Sequence, residues 1–162
     1  ERGDNRDGLQ EIYERVINYA IAERPSDMMI TTHVCRGNFR STWISSGGYE
    51  PVAETLLGKI NYDCYFLEYD SDRAGGFEPL RFLPKGNKIV VVGVITSKFG
   101  ELEKKDDIVR RLREAAKFAP LEQLAVSPQC GFASTEEGNV LSEEEQWAKL
   151  RLAVEVAQEV WG

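Results

Sequence analysis

The single histidine of the chain lies two residues before one of its three cysteines, in the segment ITTHVCRGNF. Side chains two apart on an extended backbone point to the same side, so His33 and Cys35 could contact a common ligand. Glu68 and Cys130 each come at the end of a different apolar run. One imidazole, two thiolates and one carboxylate form a four-ligand set of the kind that zinc prefers. The sequence therefore predicts a zinc site built from these four side chains.

Each of these residues also has a simpler interpretation. A lone histidine at a strand end is most often a hydrogen-bonded structural residue, and a buried cysteine often acts as a small hydrophobic residue. Glu68 could form an ion pair with Arg73. Three separate strand ends that each supply a zinc-type ligand favour the metal site over these interpretations. Cys64 lies about 13 Å from Glu68 along the same predicted strand, at ~3.3 Å per residue, so we expect it to be a core residue.

Hydrophobic periodicity predicts the elements that must position these ligands. Apolar residues recur at helical spacing from Leu9 to Ala20, from Ile108 to Ala119 and from Trp147 to Trp161. Each set predicts a helix, and the first is expected to bury one face. The segment SEEE, residues 142–145, has the form of a capping box for the last helix. A shorter helix is predicted at 51–57, and strands are predicted at MMITT, CYFLEY, KIVVVGVIT and LAVSP.

The alternation of helices and strands implies a parallel sheet with helical crossovers. The unbroken Val/Ile run in KIVVVGVIT indicates a strand that is buried on both faces, as in parallel sheets. A flavodoxin-like open sheet is an alternative, but the glycines form neither GxGxxG nor a P-loop. The predicted strands number half of those in a (β/α)8 barrel. We therefore predict an α/β fold of the TIM-barrel type, of which this chain supplies a half barrel.

Composition and charge limit the classes of partner. Twenty basic and 27 acidic residues give a net charge of −7, which argues against nucleic-acid binding. No apolar run approaches the ~20 residues that cross a bilayer, and no signal-peptide pattern opens the chain. Three well-separated cysteines favour metal binding or burial over disulfides. Residues 1–8, ERGDNRDG, predict a loop or linker, and we expect the chain to be a fragment of a longer protein.

Three segments carry a resemblance to a known family. THVCRGN, FLEYDSDR and VSPQCGF resemble the HxC, Glu and PxCG motifs of cobalamin-independent methionine synthase and its shorter relatives. KIVVVGVITSK and the helix after it match the family in order and spacing. The resemblance extends over essentially the whole chain, residues 1–162, and corresponds to the C-terminal half of the family's catalytic barrel. It implies that the chain supplies about the last four βα units.

The resemblance implies a zinc-dependent, cytoplasmic methyltransferase. Such an enzyme transfers a methyl group from a methyl-tetrahydrofolate to the thiol of homocysteine and so forms methionine. The family's zinc ligands correspond to His33, Cys35, Glu68 and Cys130. A free thiol with a pKa near ~8.5 is mostly protonated at neutral pH, and zinc coordination removes that proton. Glu68 is the expected exchangeable ligand, and hence the catalytic residue, because a carboxylate oxygen binds zinc less softly than sulfur does.

Further residues at the same rim have weaker predicted roles. Asp70 or Asp72 is expected to accept a hydrogen bond from the free ring N–H of His33. Ser97, just after the third predicted strand, is a candidate substrate-binding residue. These predictions rest on position along the chain alone.

Two departures from the family pattern leave the reaction open. The long family members carry an Asp and a His at the end of strand seven, where Val94 and Thr96 stand here. The methyl donor could therefore differ, as in a related zinc-thiol alkyltransferase. A non-catalytic zinc-binding assembly module and an α/β domain without metal are further possibilities.

The second departure is that half of the family's barrel has no counterpart in this sequence. The family's acidic residues that bind the homocysteine amine and the folate lie in that first half. We therefore expect the isolated chain to be inactive or nearly so. Its open sheet is expected to be covered by another copy of the chain, by the missing barrel half or by exchanged elements.

Overall fold

The fold is described by a computed structural model that covers residues 5–162. Its main elements in chain order are α1 (Arg6–Ala20), β1 (Thr31–Val34), α2 (Glu50–Ala53), β2 (Cys64–Glu68), β3 (Ile89–Ile95), α3 (Lys105–Ala115), β4 (Leu124–Pro128) and α4 (Glu143–Trp161). Helix α2 continues into π-helical turns over Glu54–Lys59. Short 3-10 helices cover Asp72–Ala74, Glu78–Phe82 and Leu121–Gln123.

The four strands form one sheet in the order β1-β2-β3-β4, and each neighbouring pair is parallel. This confirms the predicted α/β fold with a parallel sheet. Because all strands run the same way, their carboxyl ends meet at one edge, which we call the C-terminal rim. Gly93 of β3 lies opposite Glu68 in the register. A Cβ at Gly93 would come within 3.0 Å of the Leu67 carbonyl oxygen and 2.9 Å of Gln129 Cα, so a glycine allows this close approach.

The core lies between the sheet and the helices that pack on it. Strand β3 is buried along almost its whole length, as its Val/Ile run predicts. Helix α3 contributes Ile108, Val109 and Leu112, and α4 contributes Leu152 and Val156. Helix α3 begins at Lys105, three residues before the first apolar residue of its predicted stripe. It ends four residues before the last one, because 3-10-type hydrogen bonds take over after Ala115. These two helices support the sheet beneath its rim.

The predicted position of the first strand is wrong by about three residues. The sequence predicts a strand over 28–32, whereas β1 covers 31–34. Met28 and Met29 are exposed. The backbone N–H of Ile30 donates to Asp63 Oδ2 at 2.7 Å, and β1 begins at the next residue. His33 therefore lies inside β1 rather than after it.

The predictions for the first helix need two corrections. Residues 1–4 of the predicted loop lie outside the described residues, and α1 already begins at Arg6, because the Asn5 side chain caps it by accepting from Gly8 N at 3.2 Å. The apolar face is not buried: Ile12 is 54% exposed and Val16 is 60% exposed. The periodicity thus correctly predicts a helix, but no surface within residues 5–162 covers its apolar face.

Candidate metal centre

Four side chains from three strand ends meet at the C-terminal rim. One ligand atom from each of His33, Cys35, Glu68 and Cys130 lies within 4.8 Å of those of the remaining three. The two sulfurs are 3.6 Å apart, and Cys130 Sγ lies 3.8 Å from His33 Nε2. His33 Nε2 is 3.5 Å from Glu68 Oε1. The sequence-predicted set therefore converges on one point.

The local backbone explains how β1 supplies two of these groups. His33 and Cys35 are separated by one residue at the end of an extended strand, so their side chains lie on the same face of the sheet. The chain then turns sharply, and Gly37 adopts φ +96°, a region that favours glycine. The Gly37 N–H donates to Cys35 Sγ at 3.1 Å. This hydrogen bond fixes the position of the sulfur at the end of β1.

Two residues that sequence inspection missed, Arg36 and Tyr49, hold Glu68 in place. Glu68 is fully buried, and its backbone N–H donates to the Tyr49 hydroxyl at 2.7 Å. The Arg36 guanidinium donates to the Glu68 carbonyl oxygen at 3.0 Å and to the Tyr49 hydroxyl at 2.9 Å. The Arg36 backbone N–H donates to Glu68 Oε2 at 3.2 Å. One carboxylate oxygen is thus fixed by the backbone, which leaves Oε1 directed at the cluster.

The surroundings of Glu68 favour its ionised form. Burial alone would raise its pKa, but hydrogen bonds with His33 and Cys130, the charge of Lys98 and the Arg36 backbone N–H together lower that pKa to about 2. The Cys130 Sγ–H donates to Glu68 Oε1 at 2.5 Å. Burial and the adjacent Glu68 carboxylate raise the pKa of the Cys130 thiol.

This donor set fits a zinc ion. Zinc is bound by thiolate sulfur, imidazole nitrogen and carboxylate oxygen, most often in sets of four. Loss of the thiol protons would place two thiolates next to the Glu68 carboxylate, and a divalent cation at this point would offset the repulsion among those charges. His33 Nε2, Cys35 Sγ, Glu68 Oε1 and Cys130 Sγ are the atoms that would hold it.

The structure gives Asp70 a different partner from the predicted one. Both Asp70 carboxylate oxygens accept hydrogen bonds from Arg73 Nη2 at 3.0 Å. Within residues 5–162, neither Asp70 nor Asp72 forms a hydrogen bond with His33. Arg73 consequently does not pair with Glu68, so the simpler interpretation of Glu68 as half of an ion pair with Arg73 is wrong.

Cys64 is buried in the core and does not belong to the group of four donors. This confirms its prediction as a core residue. Its position shows that the distance along a strand separates a structural cysteine from the candidate ligands at the rim.

The residues at the end of β3 and just after it have different environments. Val94 belongs to the hydrophobic core. Thr96 Oγ1 donates to Gln129 Oε1 at 2.7 Å, which ties the end of β3 to the residue before Cys130. Ser97 is fully buried, and its Oγ has no hydrogen-bond partner among residues 5–162.

Lys98 is a third residue that sequence inspection missed. Its side chain is almost fully buried at the rim. The only signal in the sequence is its position three residues after β3, in a segment where a lysine would ordinarily face solvent. Arg36 and Tyr49 gave no signal in the sequence, because their role depends on hydrogen bonds to the Glu68 backbone that exist only in the folded chain.

None of the helices within residues 5–162 is both long enough and apolar enough to cross a membrane. The fold and the rim cluster together define an α/β domain of the half-barrel type that carries a candidate metal centre at the carboxyl ends of its strands.

Comparison with known proteins identifies the family. Residues 9–159 match the family described as "Cobalamin-independent synthase, Catalytic domain", and the chain belongs to that family. Two uncharacterized proteins of Bacillus subtilis (strain 168), YxjH and YxjG, are 57% and 55% identical to it over 159 residues. Each match covers 98% of this chain but only 42% of the relative. The chain thus spans about two-fifths of the length of these curated relatives.

Two solved structures share the fold. A provisionally named vitamin-B12-independent methionine synthase from Listeria monocytogenes matches with a TM-score of 0.78 and 44% identity, over 100% of this chain and 44% of that one. A B12-independent methionine synthase from Shewanella sp. W3-18-1, in complex with selenomethionine, matches with a TM-score of 0.73 and 23% identity, over 96% of this chain and 45% of that one. The second likeness concerns the fold alone.

Proposed function

We propose that this chain carries the zinc site of a methyltransferase that transfers a methyl group from a methyl-tetrahydrofolate to the thiol of homocysteine. The observation that carries the proposal is the convergence of one imidazole, two thiols and one carboxylate within 4.8 Å at the C-terminal rim. Membership of the cobalamin-independent synthase family supports the reaction class.

The bound zinc would supply a Lewis acid that lowers the pKa of a coordinated thiol. The residues of the chain set the properties of the site around it. Cys35 and Cys130 supply two soft sulfur donors, and His33 supplies a neutral nitrogen. Glu68 would be the exchangeable ligand through its Oε1, because its Oε2 is held separately by the Arg36 backbone N–H. The carboxylate can therefore be exchanged without losing its anchor.

We also propose that activity needs more of the protein than this chain. The chain supplies four strands of the eight that close a (β/α)8 barrel, and it spans 42% of the length of its curated relatives. The exposed apolar side chains of α1, which include Ile12 and Val16, support a covering partner surface. That surface is either the missing barrel half or a second copy of the chain.

Cobalt substitution tests the metal site and its open position together. Tetrahedral Co²⁺ absorbs in the visible range, and thiolate ligands add charge-transfer bands in the near ultraviolet. We expect one bound Co²⁺ per chain and a further increase of the thiolate bands when homocysteine is added to the protein. Methyl transfer is then measured with methyl-tetrahydrofolate as donor, on protein that also contains the rest of the barrel, because the chain alone is expected to be inactive or nearly so.

A matched pair of variants tests whether the metal binds at the proposed ligands. Cys130→Ser removes a proposed ligand, whereas Cys64→Ser changes a buried cysteine outside the cluster. Only Cys130→Ser should lose the metal. A metal that binds but never responds to an added thiol would instead indicate a closed structural site. Absence of bound metal would contradict the proposal as a whole.

A further inference from the structure

Lys98 is a buried cation whose hydrogen-bonding capacity is unfilled. Its side chain is 1% exposed, and its Nζ has no hydrogen-bond partner among residues 5–162. Burial of an ammonium group without a partner is strongly unfavourable. A fold that keeps such a group at its functional rim therefore needs a partner for it from elsewhere.

The contacts of the neighbouring backbone place Lys98 beside the cluster. Its backbone N–H donates to Thr96 Oγ1 at 3.2 Å, and Thr96 Oγ1 in turn donates to Gln129 Oε1 at 2.7 Å. Gln129 directly precedes the candidate ligand Cys130, so these two hydrogen bonds connect the Lys98 backbone to the cluster. The charge of Lys98 also lowers the pKa of Glu68 and opposes the increase in the pKa of Cys130. None of the ion pairs within the described part of the chain includes Lys98.

Glu68 is already engaged by several groups. Its Oε1 accepts from Cys130 and lies near His33, and its Oε2 accepts from the Arg36 backbone N–H. The Glu68 carboxylate is thus already hydrogen-bonded to groups other than Lys98. An anion from outside the chain could satisfy the ammonium without disturbing Glu68.

Lys149 shows that this fold can pair a buried lysine. Lys149 is fully buried as well, but its Nζ donates to Glu103 Oε2 at 2.9 Å and to the Glu101 carbonyl oxygen at 2.6 Å. At the strand end that adjoins Lys98, by contrast, a second buried donor within residues 5–162 is also unpartnered, namely Gln129 Nε2. Two unfilled donors from adjacent strand ends are suited to a carboxylate.

We infer that Lys98, assisted by Gln129, binds a carboxylate group of one of the two substrates. The inference rests on the proposed function and names an anion-binding position within it. The carboxylate could belong to the amino-acid thiol or to the glutamyl part of the methyl donor. Both are carboxylates, and the two sources are separated by experiment.

Paired ligands with and without the carboxylate test this inference. Homocysteine and 3-aminopropane-1-thiol form the thiol pair, and their affinities for the Co²⁺-substituted protein are measured from the thiolate bands. 5-Methyltetrahydrofolate and 5-methyltetrahydropterin form the donor pair, and their affinities are measured by calorimetry on protein that also contains the rest of the barrel. Lys98→Met should weaken the carboxylate-bearing member of one pair by about tenfold to a hundredfold and leave its partner unchanged.

The control variant is Lys88→Met, which removes a lysine at the opposite end of β3, where Nζ donates to the Ile60 carbonyl oxygen. Lys98→Gln, which is shorter and uncharged, is a second variant if Lys98→Met does not fold, and it should show the same selective loss. A loss in the thiol pair assigns the carboxylate to the thiol, and a loss in the donor pair assigns it to the donor. Equal effects on both members of each pair overturn the inference. Failure of the unchanged protein to bind Co²⁺ or homocysteine contradicts the proposed function instead.

Discussion

Replacing Tyr49 by Phe tests whether the buried network behind Glu68 positions the candidate ligand. The Tyr49 hydroxyl accepts from Glu68 N at 2.7 Å and from Arg36 Nη1 at 2.9 Å. It also lies 3.4 Å from the Val34 carbonyl oxygen, so it joins β2 to the end of β1. Phe keeps the ring but removes the side-chain acceptor of the Glu68 N–H.

The expected loss of stability follows from the hydrogen-bond partners that are lost. A buried N–H left without an acceptor costs about 1–3 kcal/mol. Arg36 loses less, because its guanidinium still donates to the carbonyl oxygens of Gly47 and Glu68. We expect the free energy of unfolding to fall by about 2–3 kcal/mol. Zinc affinity should fall by about tenfold to a hundredfold, since groups behind a metal ligand have effects of this size.

The assay is urea unfolding together with a competitive zinc titration, and Tyr65→Phe is the matched control. Tyr65 is also fully buried, and its hydroxyl donates to the Ile60 carbonyl oxygen at 2.8 Å. That oxygen keeps a second donor, Lys88 Nζ, so the control should lose only about 1 kcal/mol and no zinc affinity. Equal effects of the two variants on zinc affinity would refute the positioning role of Tyr49.

Three further predictions concern the metal, a buried ion pair and a helix end. Cys130→Ser should weaken zinc binding by about a hundredfold or more in a chelator competition, whereas Cys64→Ser should not. Lys149→Met should lower the free energy of unfolding by about 3 kcal/mol, because it leaves the Glu103 carboxylate without its ammonium partner; a loss no larger than that of a surface lysine variant would argue against this. Ser142→Ala should cost about 1 kcal/mol through loss of the capping box of α4, measured by thermal unfolding, and an unchanged midpoint would contradict it.

Much of the fold was predictable because the signals are local. The Val/Ile run of β3 indicates a strand that is buried on both faces, and the structure confirms it. The capping box at Ser142 predicts where α4 begins, and the helix does begin at Glu143. The start of β1 was not predictable in this way, because the hydrogen bond from Ile30 N to Asp63, which is distant in sequence, determines it.

The candidate site, like the fold, was predictable only in part. Strand ends in a parallel sheet meet at one rim, so the convergence of His33, Cys35, Glu68 and Cys130 could be predicted from order along the chain, although their binding of zinc stays a prediction. The supporting residues could not be found from order alone. Tyr49 acts through a hydroxyl that reaches the backbone of another element.

X-ray absorption at the zinc edge of the purified protein tests the central claim most directly. We predict one zinc per chain with two sulfur neighbours at about 2.3 Å and two nitrogen or oxygen neighbours at about 2.0–2.2 Å. A zinc shell without sulfur, or protein that holds no zinc when it is purified without chelator, would contradict it.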